Sequence, residues 1–351
     1  MRKRSSTLRR SVVAIAAFAT ALVLAACSSP GGTATGAATG SDVTVTFVSP
    51  QKAGDNGPID DMIAAQAKLK QKYGVTTKYI ELSDPSTYES TLRNLGQAGT
   101  NYVVTAFPGM QQPIQTVAPD FPKTKFILIF GDKFEPELKN ARSISYDIYQ
   151  AMYVSGVAAA HASKKGSVGY IGGAPQPALN ANYHAFTEGA KSVNPAIKVT
   201  GAFVGSFDDA AKGLAIGASM IAGGVDVIQT DAAAASLGVV KAAKSAGILV
   251  LADSSGEVAA QYPETIIGTT FLKFGDSFYQ QVSSAIDKGF TGGYATSGLP
   301  DGIVGLNISA PFVNGPSPAA SIIKELEPTL ATTAKDISSG SLKVSFDPSN
   351  F

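Results

Sequence analysis

From Val43 onward, short β-branched or aromatic runs alternate with longer amphipathic stretches, and this alternation constrains the fold more than any other feature of the chain. The first series reads VTVTFVS, a helical stretch over Asp60 to Tyr73, TKYIEL, a helix over Ser86 to Ala98, NYVVTAF, a helical stretch around Gln112 to Ala118, KFILIFG and SISYD. An apolar helix over Ile148 to Ala162 follows, and the rhythm starts again. Its second series reads SVGYIGG, Asn180 to Val193, KVTGAFVG, Ala210 to Ala222, VDVIQTD, Leu237 to Ala246, ILVLAD, TIIGTT and a long helix from Gly275 to Lys288. A helix between successive strands returns the chain to the edge it left, so the strands pair in parallel. Two such series in tandem predict an α/β chain with two doubly wound parallel sheets, one per lobe. The length agrees, because roughly 310 residues exceed what one hydrophobic core organises.

Ahead of Val43 the chain has a different character. Five of the first ten residues are basic, and Ser11 to Ala26 (SVVAIAAFATALVLAA) is apolar but short for a bilayer span and abruptly ended. This is the pattern of a secretory signal over residues 1–26. It ends in Leu24-Ala25-Ala26-Cys27, which resembles the bacterial lipobox, where cleavage leaves the cysteine thiol to carry diacylglycerol and its amine a third acyl chain. Cys27 is the one cysteine in the sequence, which excludes a disulfide within the chain. Residues 27–42 then form the lipidated cysteine and a tether: SSPGGTATGAATGS has no charge and no large apolar side chain to offset its ordering entropy. Acyl chains contribute about 0.8 kcal/mol per buried methylene, so several of them hold a protein on a membrane. The expected location is the outer face of a bacterial cell membrane, with the folded part on a leash.

Several function classes lose support. The chain carries 28 Lys and Arg against 27 Asp and Glu, and the basic excess sits in the signal, so the remainder is mildly acidic and lacks the electrostatic basis for nucleic-acid binding. Only His161 and His184 are present, both within helical stretches, with no HExxH, CxxC or His/carboxylate cluster, so neither a metal site nor a cofactor is expected. Ser254-Ser255 has no histidine placed to activate it, and no GxSxG elbow exists. The Gly172-Gly173 pair and the AGGVD run lack the GxGxxG spacing of a dinucleotide site; they read as a close ligand approach and a helix-strand turn. The chain reads as a binder and not an enzyme.

In doubly wound sheets, ligands sit beyond the carboxyl ends of the strands. The residues that follow the apolar runs are Asp55 and Asn56, Phe107, Phe207, Asp231, Asp253 and Lys273. Carboxylates, an amide, aromatic faces and a lysine suit a polar, ring-containing, uncharged solute. Each also has an ordinary use: Asp55, Asn56 and Asp253 as turn or cap residues, Phe107 and Phe207 as plugs, Lys273 as a solvated loop residue.

The segment Gly156 to Asp209 carries SGVAAAHASKKGSVGYIGG, AFTEGAKSVNPAIKV and VGSFDDAAKG, and GGVDVIQTDAAAASLGVVKAAKSAGILVLADSS follows. These stretches resemble the basic membrane lipoprotein family of ABC-transporter binding proteins, of the purine nucleoside receptor type, and the resemblance runs from about Val43 to the end of the sequence. It implies a two-lobed type I periplasmic-binding-protein clamshell with several interlobe crossings. The lobes would span 43–146 plus 271–303 and 147–270 plus 304–351. It implies a purine nucleoside as solute and an ABC permease as partner. Phe207 would stack on the base, Asp253 and Lys273 would bond the ribose hydroxyls, and Asp55 and Asn56 would read the base edges. One departure stands out: where the family has a phenylalanine for the second face of a base sandwich, Asp60-Asp61-Met62-Ile63-Ala64-Ala65 supplies Ala64. Phe107 or Tyr183 would have to take its place, or the pocket admits a free base, a flavin or a sugar. Ala232 to Ala235 also stand where glycines are frequent. A monomer is expected, since a clamshell must open and no heptad pattern is present. A sensor that reports a solute to a membrane receptor is the alternative to transport, and a surface nucleosidase a more remote one.

Overall fold

A computed structural model of the chain describes residues 43–54, 57–253 and 256–351. The signal and tether with Cys27, the pair Asp55 and Asn56, and Ser254-Ser255 lie outside the described residues. The first sheet contains β1 (Thr44–Ser49), β2 (Thr76–Glu81), β3 (Tyr102–Ala106), β4 (Lys125–Ile129), β5 (Ala141–Tyr146) and β11 (Gly293–Ser297), in the order β11-β5-β4-β3-β1-β2. All its pairings are parallel. The second contains β6 (Ser167–Gly172), β7 (Lys198–Phe203), β8 (Val227–Asp231), β9 (Leu249–Ala252), β10 (Ile266–Leu272) and β12 (Val304–Ile308), in the order β12-β10-β9-β8-β6-β7. It is parallel except for β12, which runs antiparallel to β10. The predicted two-sheet α/β architecture is thus the observed one.

Burial explains which runs became which strands. β1 is buried at every position after its first residue, as a strand covered on both faces by helices must be, whereas β2 and β7 alternate toward solvent because each is a sheet edge. Around the first sheet lie α1 (Pro58–Tyr73), α2 (Tyr88–Gln97), α3 (Gln111–Val117) and α9 (Phe274–Lys288); around the second lie α4 (Ile148–Ala162), α5 (Pro177–Val193), α6 (Ala210–Ala222), α7 (Ser236–Ala246) and the short α8 (Gly256–Gln261). Past β12 come the short α10 (Ala310–Val313) and α11 (Ala320–Glu325), then α12 (Glu327–Ser339). α4 is apolar on nearly every face because α5, β12 and α12 surround it, and its Tyr153, Val154 and Val157 join Tyr170, Phe186 and Phe312 in one core.

The strand order reverses between β1 and β3 and again between β6 and β8, the two positions where neighbouring crossovers diverge and leave a crevice. Among the described residues the chain passes between the sheets three times: from β5 to α4, from β10 to α9 and from β11 to β12. These crossings pack on one another through Ala151, Ile303 and Val304, flanked by Tyr146, Ile148, Leu272 and Leu299. The Lys273 N–H donates to the Ile303 carbonyl at 2.8 Å and the Asp147 N–H to that of Ser297 at 2.9 Å. Each crossing leaves from the carboxyl end of a strand, so the carboxyl edges of both sheets meet beside them. No helix among the described residues is long and apolar enough to cross a membrane.

Candidate ligand-binding site

Three non-glycine residues among those described have left-handed backbones: Phe107 (φ 72°), Phe130 (φ 63°) and Ala233 (φ 49°). Each lies just past a parallel strand, β3, β4 or β8, on the carboxyl edge. A residue with a Cβ is strained there by about 1 to 3 kcal/mol, and such residues gather at functional sites. Hydrogen bonds hold the strained turns: the Phe107 N–H donates to the Ile129 carbonyl at 2.8 Å, the Gly131 N–H to that of Ile144 at 3.0 Å, and the Ala233 N–H to Asp253 Oδ2 at 2.8 Å.

On the first lobe this backbone presents a cluster of half-buried rings. Phe107 lies 6.4 Å from Phe130 and 5.9 Å from Phe274, and Phe130 lies nearly parallel to Tyr146 at 5.8 Å. Phe274, the first residue of α9, closes the cluster at 6.0 Å from Phe130 and 6.2 Å from Tyr146. The Tyr146 hydroxyl pairs with that of Ser277 at 2.6 Å, and burial raises its pKa. Phe107 was anticipated; Phe130, Tyr146 and Phe274 were not. The strand-end rule applied to KFILIF and SISY would have found the first two. Phe274 reads locally as a helix-core residue, and only the crossing from β10 brings it here.

On the second lobe the VGSFDD loop is built to hold a ring outward. The Gly173 carbonyl accepts from the N–H groups of Gly205 (2.7 Å) and Ser206 (3.0 Å), the Ser206 hydroxyl bonds the Asp208 carboxylate, and Asp209 caps α6 by accepting from the Lys212 N–H at 3.0 Å. Phe207 between them stays 37% exposed. A Cβ on Gly173 would stand 2.3 Å from the Phe207 ring. The sequence suggested that this glycine allows close approach of a ligand; its missing side chain instead makes room for Phe207.

Asp231 and Asp253 sit side by side at the ends of β8 and β9. Asp231 Oδ2 accepts from the Tyr170 hydroxyl at 2.6 Å and the Asn182 amide at 2.7 Å. Asp253 accepts from the Thr230 hydroxyl at 2.7 Å and the Ala233 N–H at 2.8 Å, so its partners belong to the neighbouring strand end and it is not a helix cap. Burial, reinforced by the Asp253 charge, pushes the Asp231 carboxyl up to about 6. Burial also raises Asp253, against the hydrogen bonds from Ser236, Thr230 and the Ala233 N–H. Lys273 is exposed in the second crossing, with its amine 4.8 Å from the centre of the Phe271 ring. Tyr183 is not free to face a ligand, because its ring stacks on Phe351 at 3.8 Å. Ala64 is exposed on α1. His161 lies on α4, and His184, on α5, bonds the Ser349 carbonyl at 2.9 Å. Among the described residues no group of three His, Cys, Asp or Glu side chains could hold a metal ion.

Two sheets of common strand order, joined by crossings at their carboxyl edges, with rings and paired carboxylates on those edges, define a solute-binding protein of the type I periplasmic-binding class. Residues 43–333 match the family described as ABC transporter substrate-binding protein, PnrA-like, and the chain belongs to that family. It is 29% identical over 290 residues to a purine-binding protein of Brucella abortus, covering 81% of this chain and 79% of that one. It is 29% identical over 252 residues to the ABC transporter nucleoside-binding protein BmpA of Lactococcus lactis, covering 68% and 69%. A solved ABC transporter solute-binding protein from Conexibacter woesei shares the fold, with a TM-score of 0.69 at 20% identity over 87% of this chain and 99% of that one. Members of the family work outside the cytoplasm, binding a small solute for an ABC permease without transforming it.

Proposed function

We propose that this chain is a lipid-anchored receptor that captures a purine nucleoside in the cleft between its two carboxyl edges and hands it to an ABC importer. The observation that carries the reading is the unlikeness of the edges: rings on the first, paired carboxylates beside one projecting ring on the second. A base is a flat π-surface and a ribose a row of hydroxyls, and each finds its chemical match. Phe207 stacks on one face of the base. Phe107, with Phe130 and Phe274 beside it, supplies the ring wall that Ala64 does not. Asp253 and Lys273 bond the ribose hydroxyls, Asp231 holds the polar edge beside them, and Asp55 and Asn56 read the edge of the base. The names of the Brucella and Lactococcus relatives support a purine or nucleoside as solute. Cys27 carries the lipid, and the protein acts as a monomer whose lobes close on the solute about the three crossings.

The test is calorimetric titration of the chain from Ser41 onward, freed of carried-over solute by unfolding and refolding, with adenosine, guanosine, inosine, uridine, adenine, riboflavin and ribose. The expected result is micromolar or tighter binding of a purine nucleoside, with adenine and ribose each much weaker. Binding of riboflavin or of the free base in preference to every nucleoside overturns the reading. Loss of membrane association in a Cys27→Ser variant of the full chain checks the anchor.

A further inference from the structure

After α12 the chain has no regular secondary structure, yet it does not leave the surface. Leu342 and Val344 pack against the core of the second lobe, and Phe346 meets Tyr149, in the first turn of α4, edge to face at 5.6 Å. The Asn180 amide donates to the Pro348 carbonyl at 3.0 Å and to Asn350 Oδ1 at 3.1 Å, and His184 Nε2 bonds the Ser349 carbonyl at 2.9 Å. Phe351 then lies on the Tyr183 ring (3.8 Å, 23°), tilted over Phe203 at 4.8 Å and edge-on to Tyr170 at 6.2 Å. Gly201 in β7 leaves the space, since a Cβ there would stand 2.3 Å from the Phe351 ring. Ordering a segment without helix or sheet costs backbone entropy at every residue, so these contacts are what keep it in place.

The gripped residues share a helix face. Asn180, Tyr183 and His184 are spaced i, i+3, i+4 and lie together on α5, while Asn182 is turned to the other side, where it is buried and donates to Asp231. The second donor to Asp231, Tyr170, has its ring packed against Tyr183 at 5.8 Å as well as against Phe351. We propose that residues 346–351 are a strap that positions the solute site: by gripping α5 and bracing the Tyr170 ring, they hold the two side chains that present the Asp231 carboxyl at the cleft edge. The strap touches no solute. It acts through Asn182 and Tyr170, and its importance for binding rests on the reading that this edge is where the solute sits.

The test uses the full chain, a deletion of residues 347–351, the milder Phe351→Ala and the conservative Phe351→Tyr, with thermal unfolding to confirm that each folds. In the absence of solute, the Asp231 carboxyl is titrated by carbon-13 NMR, its signal assigned by its loss in Asp231→Asn. The groups facing it are Tyr170 on β6, Asn182 on α5 and Asp253 past β9. Loosening the strap removes donors that favour the carboxylate, so Asp231 titrates at higher pH in the deletion and in Phe351→Ala, but not in Phe351→Tyr. With adenosine, guanosine and inosine as probes, affinity falls about tenfold on loss of the strap and by less than about twofold when Asn182→Ala and Tyr170→Phe have already removed both donors to Asp231, as a shared route of action requires. An unchanged Asp231 titration, or equal losses in both backgrounds, overturns the strap. If the parent chain binds no nucleoside, the proposed solute fails, while the Asp231 titration still decides the strap.

Discussion

The two lobes arrange their first five strands in the same order, β2-β1-β3-β4-β5 and β7-β6-β8-β9-β10, yet the ends of those strands carry opposite chemistry. At the carboxyl ends of β3, β4 and β5 the first lobe places Phe107, Phe130 and Tyr146; at those of β8 and β9 the second places Asp231 and Asp253. Topology determines where a strand end points, and a few residues at those ends decide what it meets. Both solutions cost stability. Phe107 and Phe130 need left-handed backbones, and the ring cluster leaves apolar surface half-exposed. The carboxylates need desolvation and tolerate each other's charge. One topology thus carries two chemically unlike edges, each at a cost to folding.

The largest effect is expected of Asp253→Ala, which removes the acceptor of the Thr230 hydroxyl and the Ala233 N–H. Solute affinity should fall by about 2 to 3 kcal/mol, the magnitude of charge-assisted hydrogen bonds. Calorimetry showing no loss would mean that the second lobe does not supply the polar half of the site. Next comes Phe207→Ala, with an expected loss of about 2 kcal/mol, taking base-aromatic stacking as a loose analogue. The loss should appear with every purine tested and be absent with ribose.

Asp231→Asn asks whether the carboxylate edge is held against stability. The folded carboxyl keeps its proton up to a pH of about 6, whereas an unfolded aspartate loses it near 4. Between those values the folded state binds more protons, so the contribution is present below about pH 4 and is lost as pH rises through about 6. The asparagine variant, which cannot ionise, should therefore be more stable than the parent above pH 6, by about 1 to 2 kcal/mol in chemical denaturation, with the gap closing below pH 4. A gap that stays constant with pH would remove the carboxyl's burial as its cause. The smallest effect is expected of Phe130→Leu, which keeps apolar bulk and the left-handed backbone but removes the ring. Affinity for a heterocycle should fall by about 0.5 to 1.5 kcal/mol, and unchanged affinity would detach the ring cluster from the site.

Much of the fold was legible because helix and strand periodicities are local. The expected helices over Ile148 to Ala162 and Ala210 to Ala222 coincide with α4 and α6 to the residue. β11 was not seen, since GYATS is short, only partly buried and without an apolar run, and it becomes a strand by pairing with β5 at the sheet edge. β12 likewise takes its place from its antiparallel partner β10. The strand-end rule picks out Phe107, Phe207, Asp231 and Asp253 but stops short of Phe130 and Tyr146, which lie inside the runs KFILIFG and SISYD. Tyr183 was a plausible second ring from its sequence; the packing of Phe351 gives it another task.

By itself the sequence determined that two βα series follow one another, that the chain has the words of a solute-binding family, and which side chains stand at the ends of most strands. These follow from burial patterns a few residues long. Only the tertiary structure decided that Phe107 and Phe274 share one cluster, that Gly173 seats Phe207, and that Asn182 and Tyr170 converge on Asp231 under a strap that begins at Phe346. Those juxtapositions depend on crossings and helix packing that join distant parts of the chain, and no local periodicity encodes them.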